Sequence, residues 1–230
     1  MTTRSFDHRR LATVPLFRGL DDAACRAVMA LARPRRVDAG GAVFEQGDPA
    51  NAFFVLAEGR LKIVQTAASG QQVIMHFVHP GEFFGCVALM GGARYPGSAR
   101  ALERSTALGW TPADAQRLIQ EHPIVASNAL SGFGSRVLGL NARLREIHTE
   151  PADRRIAHAL LRLAGRVGTD SRAGIRLSIT RQELAEIAGT TLHTASRTVS
   201  RWARDGILKG GRKRIMIADL PGLEAMVAED

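Results

Sequence analysis

The run TTLHTASR, Thr190 to Arg197, places four hydroxyls, an imidazole and a guanidinium in eight residues, directly after Ala188-Gly189. Such groups suit hydrogen bonding to anions and to the polar edges of flat rings. Thr180 followed by Glu183 has the spacing of a capping box, which starts a helix at Arg181, and Gly189 stops it. A second helix begins near Thr191. On it Ala195, Val199 and Trp202 share one face at steps of 4 and 3, while His193, Arg197 and Arg201 make a stripe at i, i+4 and i+8 on roughly the opposite face. The apolar side seats the helix and leaves the other free. Small Ala185 and the turn at Gly189 let the two helices cross steeply, the helix-turn-helix arrangement.

Hydroxyls of Thr190, Thr191, Thr194 and Ser196 near a helix N-terminus suit phosphate oxygens, since the backbone N–H groups there already favour an anion. Arg197 has the reach and planarity for a bidentate pair with guanine in a major groove. An isolated basic helix is more often a solvated face than a reader of DNA. The surrounding charge favours the reader: between Ile175 and Ile217 nine Lys or Arg face three carboxylates, a net +6 of the chain's +9. Within the turn KGGRKR, Arg212 and Lys213 lie at the tip of a hairpin from Ile207-Leu208 to Ile215-Met216-Ile217, shaped as a wing for the phosphate backbone.

Several elements must hold this motif. From about Gly40 to Trp110, glycines punctuate short runs such as FFVLAEG, RLKIVQT, QQVIMHFV and STALGW, the pattern of many short antiparallel strands in a β-roll. A short helix, GLDDAACRAVMALARPRR, precedes them and ends at Pro34. Thr111-Pro112 starts another that stops near His122-Pro123. Beyond it Ala126, Leu130, Phe133, Val137, Leu140, Leu144 and Ile147 recur at alternating steps of 4 and 3, a heptad seam rather than the wider stripe of a core helix. Homodimerisation through Leu130, Phe133, Val137, Leu140, Leu144 and Ile147 is expected. Gly132, Gly134 and Gly139 weaken that helix intrinsically and admit a close neighbour. Glu150-Pro151 begins PADRRIAHALLRLAGRVG, a helix with Ile156, Leu160 and Leu163 on one side. The polar loop RVGTDSRAG and the short strand RLSIT follow it.

The expected fold class is therefore α+β: a sensory β-roll with flanking helices over residues 1–122, a dimerisation helix over 123–149 and a winged helix-turn-helix over 150–230. Only Cys25 and Cys86 occur among 230 residues, which excludes a disulfide framework or an all-cysteine metal cluster within one chain. No stretch approaches the roughly 18 to 20 apolar residues of a membrane span, and the N-terminus carries no signal-peptide core. A cytoplasmic protein with no membrane partner is the expectation.

In this order the elements resemble the CRP/FNR family of dimeric bacterial transcription regulators, on the runs EQGDPANAFFVLAEGRLKI, PGEFFG and ITRQELAEIAGTTLHTASRTVSRWARDGIL. The resemblance implies a near-palindromic DNA operator, DNA contacts from Arg181, Thr191, Thr194 and Arg197, and an RNA polymerase contact through residues 165–174. It also implies an effector pocket near Gly85, Cys86, Arg94, Ser98 and Ala99. Members that bind cyclic nucleotides carry a glutamate where Cys86 stands and an arginine where Gly97 stands, so cyclic AMP is not expected here. Iron–sulfur members use several N-terminal cysteines, which Cys25 alone does not supply. His193 replaces a glutamate common in relatives and implies a different half-site. The version GTTLHTASRTVSRW looks most like the nitric-oxide and denitrification branch. For that branch haem is the implied sensor, with His8, Cys25, His76, His79, Cys86, His122 and His148 as the available candidates, each read first as structural.

A cupin-type metal enzyme is the competitor from another class, because MHFVHPGE offers His76, His79 and Glu82. Residues three apart on a strand point to opposite faces, which argues against a shared site. No nucleophile elbow, P-loop or dinucleotide fingerprint appears, so no enzymatic activity is expected.

Overall fold

The computed structural model describes residues 6–68, 70, 72–211 and 214–228. The chain divides into two compact units, Met1–Leu138 and Gly139–Asp230.

The first unit begins with α1 (His8–Leu11) and α2 (Asp22–Leu31), followed by β1 (Arg33–Val37), β2 (Ala42–Phe44), β3 (Phe53–Glu58), β4 (Leu61–Thr66) and β5 (Gln72–Val78). Then come β6 (Phe83–Phe84), β7 (Ser98–Ala101), β8 (Ser105–Trp110), α3 (Pro112–Glu121) and the start of α4 (Ile124–Thr149). The strands form two antiparallel four-stranded sheets, ordered β1-β8-β3-β6 and β2-β7-β4-β5, which is the expected roll. Pro34 does not end a helix. It lies inside β1, at the edge of its sheet, where a missing ladder donor is tolerated. Helix α2 instead ends at Leu31, one turn after its last fully buried residue, Val28.

Trp110 closes the core of the roll. Its ring stacks on Phe53 at 5.3 Å and meets Phe17 edge-on at 5.6 Å, while its Nε1–H donates to the Val28 carbonyl at 2.8 Å. A buried indole needs that acceptor, because the unpaired N–H would keep its desolvation cost. Helix α3 starts on the expected cap: the Thr111 hydroxyl accepts from the Asp114 N–H, and the Asp114 carboxylate accepts from the Thr111 N–H. That hydroxyl, which also donates to the carboxylate, is the main cause holding the Asp114 pKa below the ordinary carboxylate range.

The second unit contains the last turns of α4, α5 (Ala152–Val167), β9 (Thr169–Ser171), β10 (Gly174–Leu177), α6 (Arg181–Ala188), α7 (Leu192–Arg204), β11 (Leu208–Gly211), β12 (Arg214–Ile217) and α8 (Leu220–Ala225). A four-stranded sheet ordered β11-β12-β10-β9 packs with the helices around buried Ile156, Leu160, Leu177, Leu184, Val199, Trp202, Leu208 and Ile215. The segment expected as a polar loop is more ordered than its composition suggests. Its first residues finish α5 and its middle forms β9, which pairs Asp170 with Ile175. The neighbouring strand covers Gly174–Leu177 and not RLSIT, because it is fixed by pairing with β12 and not by its own β-propensity.

Candidate nucleic-acid interface and effector domain

Helix α6 has both halves of its capping box: the Thr180 hydroxyl accepts from the Glu183 N–H at 3.1 Å and the Glu183 carboxylate accepts from the Thr180 N–H at 2.8 Å. Gly189 ends it in the left-handed conformation, φ +61°, which turns the chain so that the Thr190 N–H returns to the Ala185 carbonyl. Helix α7 then starts with Thr191 as its cap. The Thr191 hydroxyl accepts from the Thr194 N–H and lies 3.0 Å from the Thr194 hydroxyl, so two hydroxyls sit together beside the positive end of the helix.

Ala195, Thr198, Val199 and Trp202 are buried on the inner side of α7, as the spacing required. His193 and Arg197 lie exposed on the outer side, and neither makes a hydrogen bond or ion pair among the described residues. Arg201, on the same stripe, instead meets Asp153 of α5 at 3.2 Å. The Arg181 guanidinium turns inward to the Ser200 hydroxyl at 3.2 Å and, more weakly, to the Ser196 carbonyl at 3.4 Å. Thr190 and Ser196 are half-buried. Arg212 and Lys213 lie outside the described residues.

Sequence reasoning missed the groups behind this face. Arg155 donates to the carbonyls of Ala188, Gly189 and Glu150, each at 3.0 Å, and Arg143 donates to the Glu186 carbonyl at 3.1 Å. Nothing local marks either residue, since an arginine on an amphipathic helix reads as a solvated charge.

In the first unit, Gly85 is left-handed at φ +70°, and a Cβ on it would stand 3.3 Å from both Phe44 and Phe54. Ser98 accepts from the Gln46 N–H at 2.9 Å and Arg94 donates to the Gly47 carbonyl at 2.6 Å, so both converge on the turn after β2. Ala99 is fully buried in β7. At Gly97 a Cβ would come within 2.8 Å of the Val64 carbonyl oxygen, so this backbone has no room for an arginine there. Cys86 is buried, which pushes its thiol pKa up; the Arg136 guanidinium, 3.0 Å away, opposes that shift. Arg136 also donates to the Phe83 carbonyl and lies over the Phe83 ring at 4.6 Å.

Phe83 explains one of the three glycines of α4. Its ring lies where a Gly132 Cβ would be, 2.7 Å from Cζ, while Gly134 and Gly139 face open space. Phe133 meets the same ring edge-on, so this member of the expected seam is partly engaged within its own chain. The rest of the seam is bare: Leu130 is 70% exposed and Leu144 55%, with Val137, Leu140 and Ile147 also exposed. The histidines and cysteines named as haem candidates come from several elements of the chain. His8 pairs with Asp22, Cys25 is buried at α2, and no group of three or more His, Cys, Asp or Glu among the described residues is placed to hold a metal ion.

Two domain families match the chain: a cyclic nucleotide-binding domain over residues 34–122 and a Crp-like helix-turn-helix domain over residues 154–226. The cyclic AMP receptor protein of Thermus thermophilus is 30% identical over 210 residues, covering 91% of this chain and 95% of that protein. The crystal structure of the Thermus thermophilus catabolite activator protein superposes with a TM-score of 0.55 at 29% identity, covering 93% and 98% of the two chains. A c-di-GMP-responsive regulator, CLP of Xanthomonas campestris, shares the fold, with a TM-score of 0.76 at 20% identity over 86% of this chain and all of that one. With a nucleotide-binding-type roll followed by a helix-turn-helix, matched along nearly its whole length, the chain belongs to the CRP/FNR family of transcription regulators.

Proposed function

We propose that the protein acts as a homodimer that reads a near-palindromic operator with α7 in the major groove, under control of an effector other than cyclic AMP. One observation carries the reading: Arg197 and His193 stand exposed and, among the described residues, unpaired on α7, whose opposite face is buried. In this reading Thr190, Thr191, Thr194 and Ser196 serve the phosphates at the helix start, with Arg212 and Lys213 on the flanking backbone. Arg201 and Arg181 already have partners in Asp153 and Ser200, which compete with DNA for them. Leu130, Val137, Leu140, Leu144 and Ile147 form the dimer seam, so that two reading heads meet half-sites about one helical turn, roughly 34 Å, apart.

The case against cyclic AMP rests on the pocket. Cyclic-nucleotide-binding relatives hold the ribose with a glutamate and the phosphate with an arginine. Here Cys86 faces Arg136, and the crowding at Gly97 leaves no space for the second group. By family likeness the protein works in the cytoplasm, and residues 165–174 contact RNA polymerase.

Selection of duplexes from a random library, followed by affinity measurements against salt, tests the function. Enrichment of an inverted repeat, with affinity falling steeply as salt rises, is expected. Recovery of no common sequence would refute sequence-specific reading. Titration with cyclic AMP should leave operator affinity unchanged.

A further inference from the structure

The polar contacts of the second unit converge on the back of the turn that carries the reading helix. The last carbonyls of a helix have no helical N–H to accept from. In α6 those of Glu186, Ala188 and Gly189 accept from side chains: Glu186 from Arg143 at 3.1 Å, and the other two from Arg155 at 3.0 Å. Arg143 belongs to α4 and Arg155 to α5. The remaining arm of Arg155 reaches the Glu150 carbonyl, in the link between those helices, so one planar guanidinium joins the link to the turn. Beside them Glu146, also of α4, is buried and accepts from Arg162 at 2.5 Å. Ile147 adds an apolar contact, its Cδ1 lying 3.5 Å from where a Gly189 Cβ would stand.

We infer that Arg143 and Arg155 are positioning residues that fix the direction of α7 relative to the end of α4, so that a displacement of the long helix is passed to the reading helix through the carbonyls of the turn. The inference rests on the dimeric DNA-reading function proposed above. Arg143 is the informative member, because it lies on α4 and bonds directly to α6. A residue that merely stabilised the unit would alter its melting. A residue that sets the angle of α7 also alters which half-site spacing is preferred.

The test uses full-length protein and duplexes carrying the selected half-sites at their native spacing or with one base pair added or removed. Fluorescence anisotropy compares the parent, Arg143→Met and Arg143→Lys, with thermal unfolding measured alongside. The parent should prefer the native spacing. Arg143→Met, which keeps the length but loses the donors, should bind that duplex about tenfold more weakly, in line with loss of a hydrogen bond from a charged donor, and lose most of its spacing preference. Arg143→Lys should fall between. An unchanged spacing preference in Arg143→Met, whatever its unfolding temperature, overturns the inference. Should that variant fail to fold, amide exchange at Gly189 and Thr190 in Arg143→Lys decides. Faster exchange there than in the parent, with α5 unaffected, supports the role, and equal exchange overturns it. Failure of the parent to bind any duplex selectively would sink the proposed function instead.

Discussion

Replacing Arg197 by alanine separates recognition from folding. Its guanidinium has no partner among the described residues, so its loss should leave stability within about 0.5 kcal/mol. A bidentate contact with a base edge is worth about 1–3 kcal/mol, which corresponds to roughly a 5- to 150-fold rise in Kd. Arg201, one turn further along the same stripe, gives the contrast. It is paired with Asp153, an exposed ion pair worth at most about 1 kcal/mol of stability, and that carboxylate competes with DNA for the guanidinium. Anisotropy titrations of both alanine variants on the selected operator and on operators changed one base pair at a time, at several salt concentrations, distinguish the roles. Arg197→Ala should lose affinity and relax preference at one base position in each half-site, with little change in salt slope. A contact with phosphate would instead lower the slope by about 0.9 and weaken all sequences alike. Unchanged affinity and base preference in Arg197→Ala would refute the assignment of the reading face.

Two of the three glycines of α4 should respond with opposite signs. Gly134→Ala gains up to about 1 kcal/mol in urea unfolding, because the site is open and alanine favours the helix. Gly132→Ala forces Phe83 aside and should lose stability by about 1–3 kcal/mol. If the proposed seam pairs two copies, Leu144→Glu should leave a monomer in sedimentation and abolish tight operator binding, since the residue is an exposed apolar side chain within the chain. Burial raises the pKa of both thiols, so Cys25 and Cys86 should resist iodoacetamide in native protein at neutral pH and react once it is unfolded, followed by mass spectrometry. Thr111→Ala should cost about 1 kcal/mol at neutral pH. Because the Asp114 pKa is lowered in the folded state, its contribution is present above the ordinary carboxylate value and lost as pH falls through the depressed one, so the difference between variant and parent shrinks in acid.

The caps, the turn and the faces of the helices were legible from sequence because each depends on residues within one or two turns. Thr180 with Glu183, Gly189, and the buried row Ala195, Val199 and Trp202 needed no knowledge of distant parts. The alternating seam of α4 and the glycine-punctuated strands were legible for the same reason, as periodicities of one element. Tertiary structure decided what periodicity cannot rank. Arg197 and Arg201 share a stripe, yet only Arg201 meets a carboxylate, because α5 brings Asp153 to it. Pro34 became a strand residue because β8 offered its edge, and Gly132 is a glycine position because the Phe83 ring of β6 packs against it. Arg143, Arg155 and Arg136 have no local signature: each guanidinium reaches an acceptor 33 to 53 residues away, which spacing along one helix does not encode.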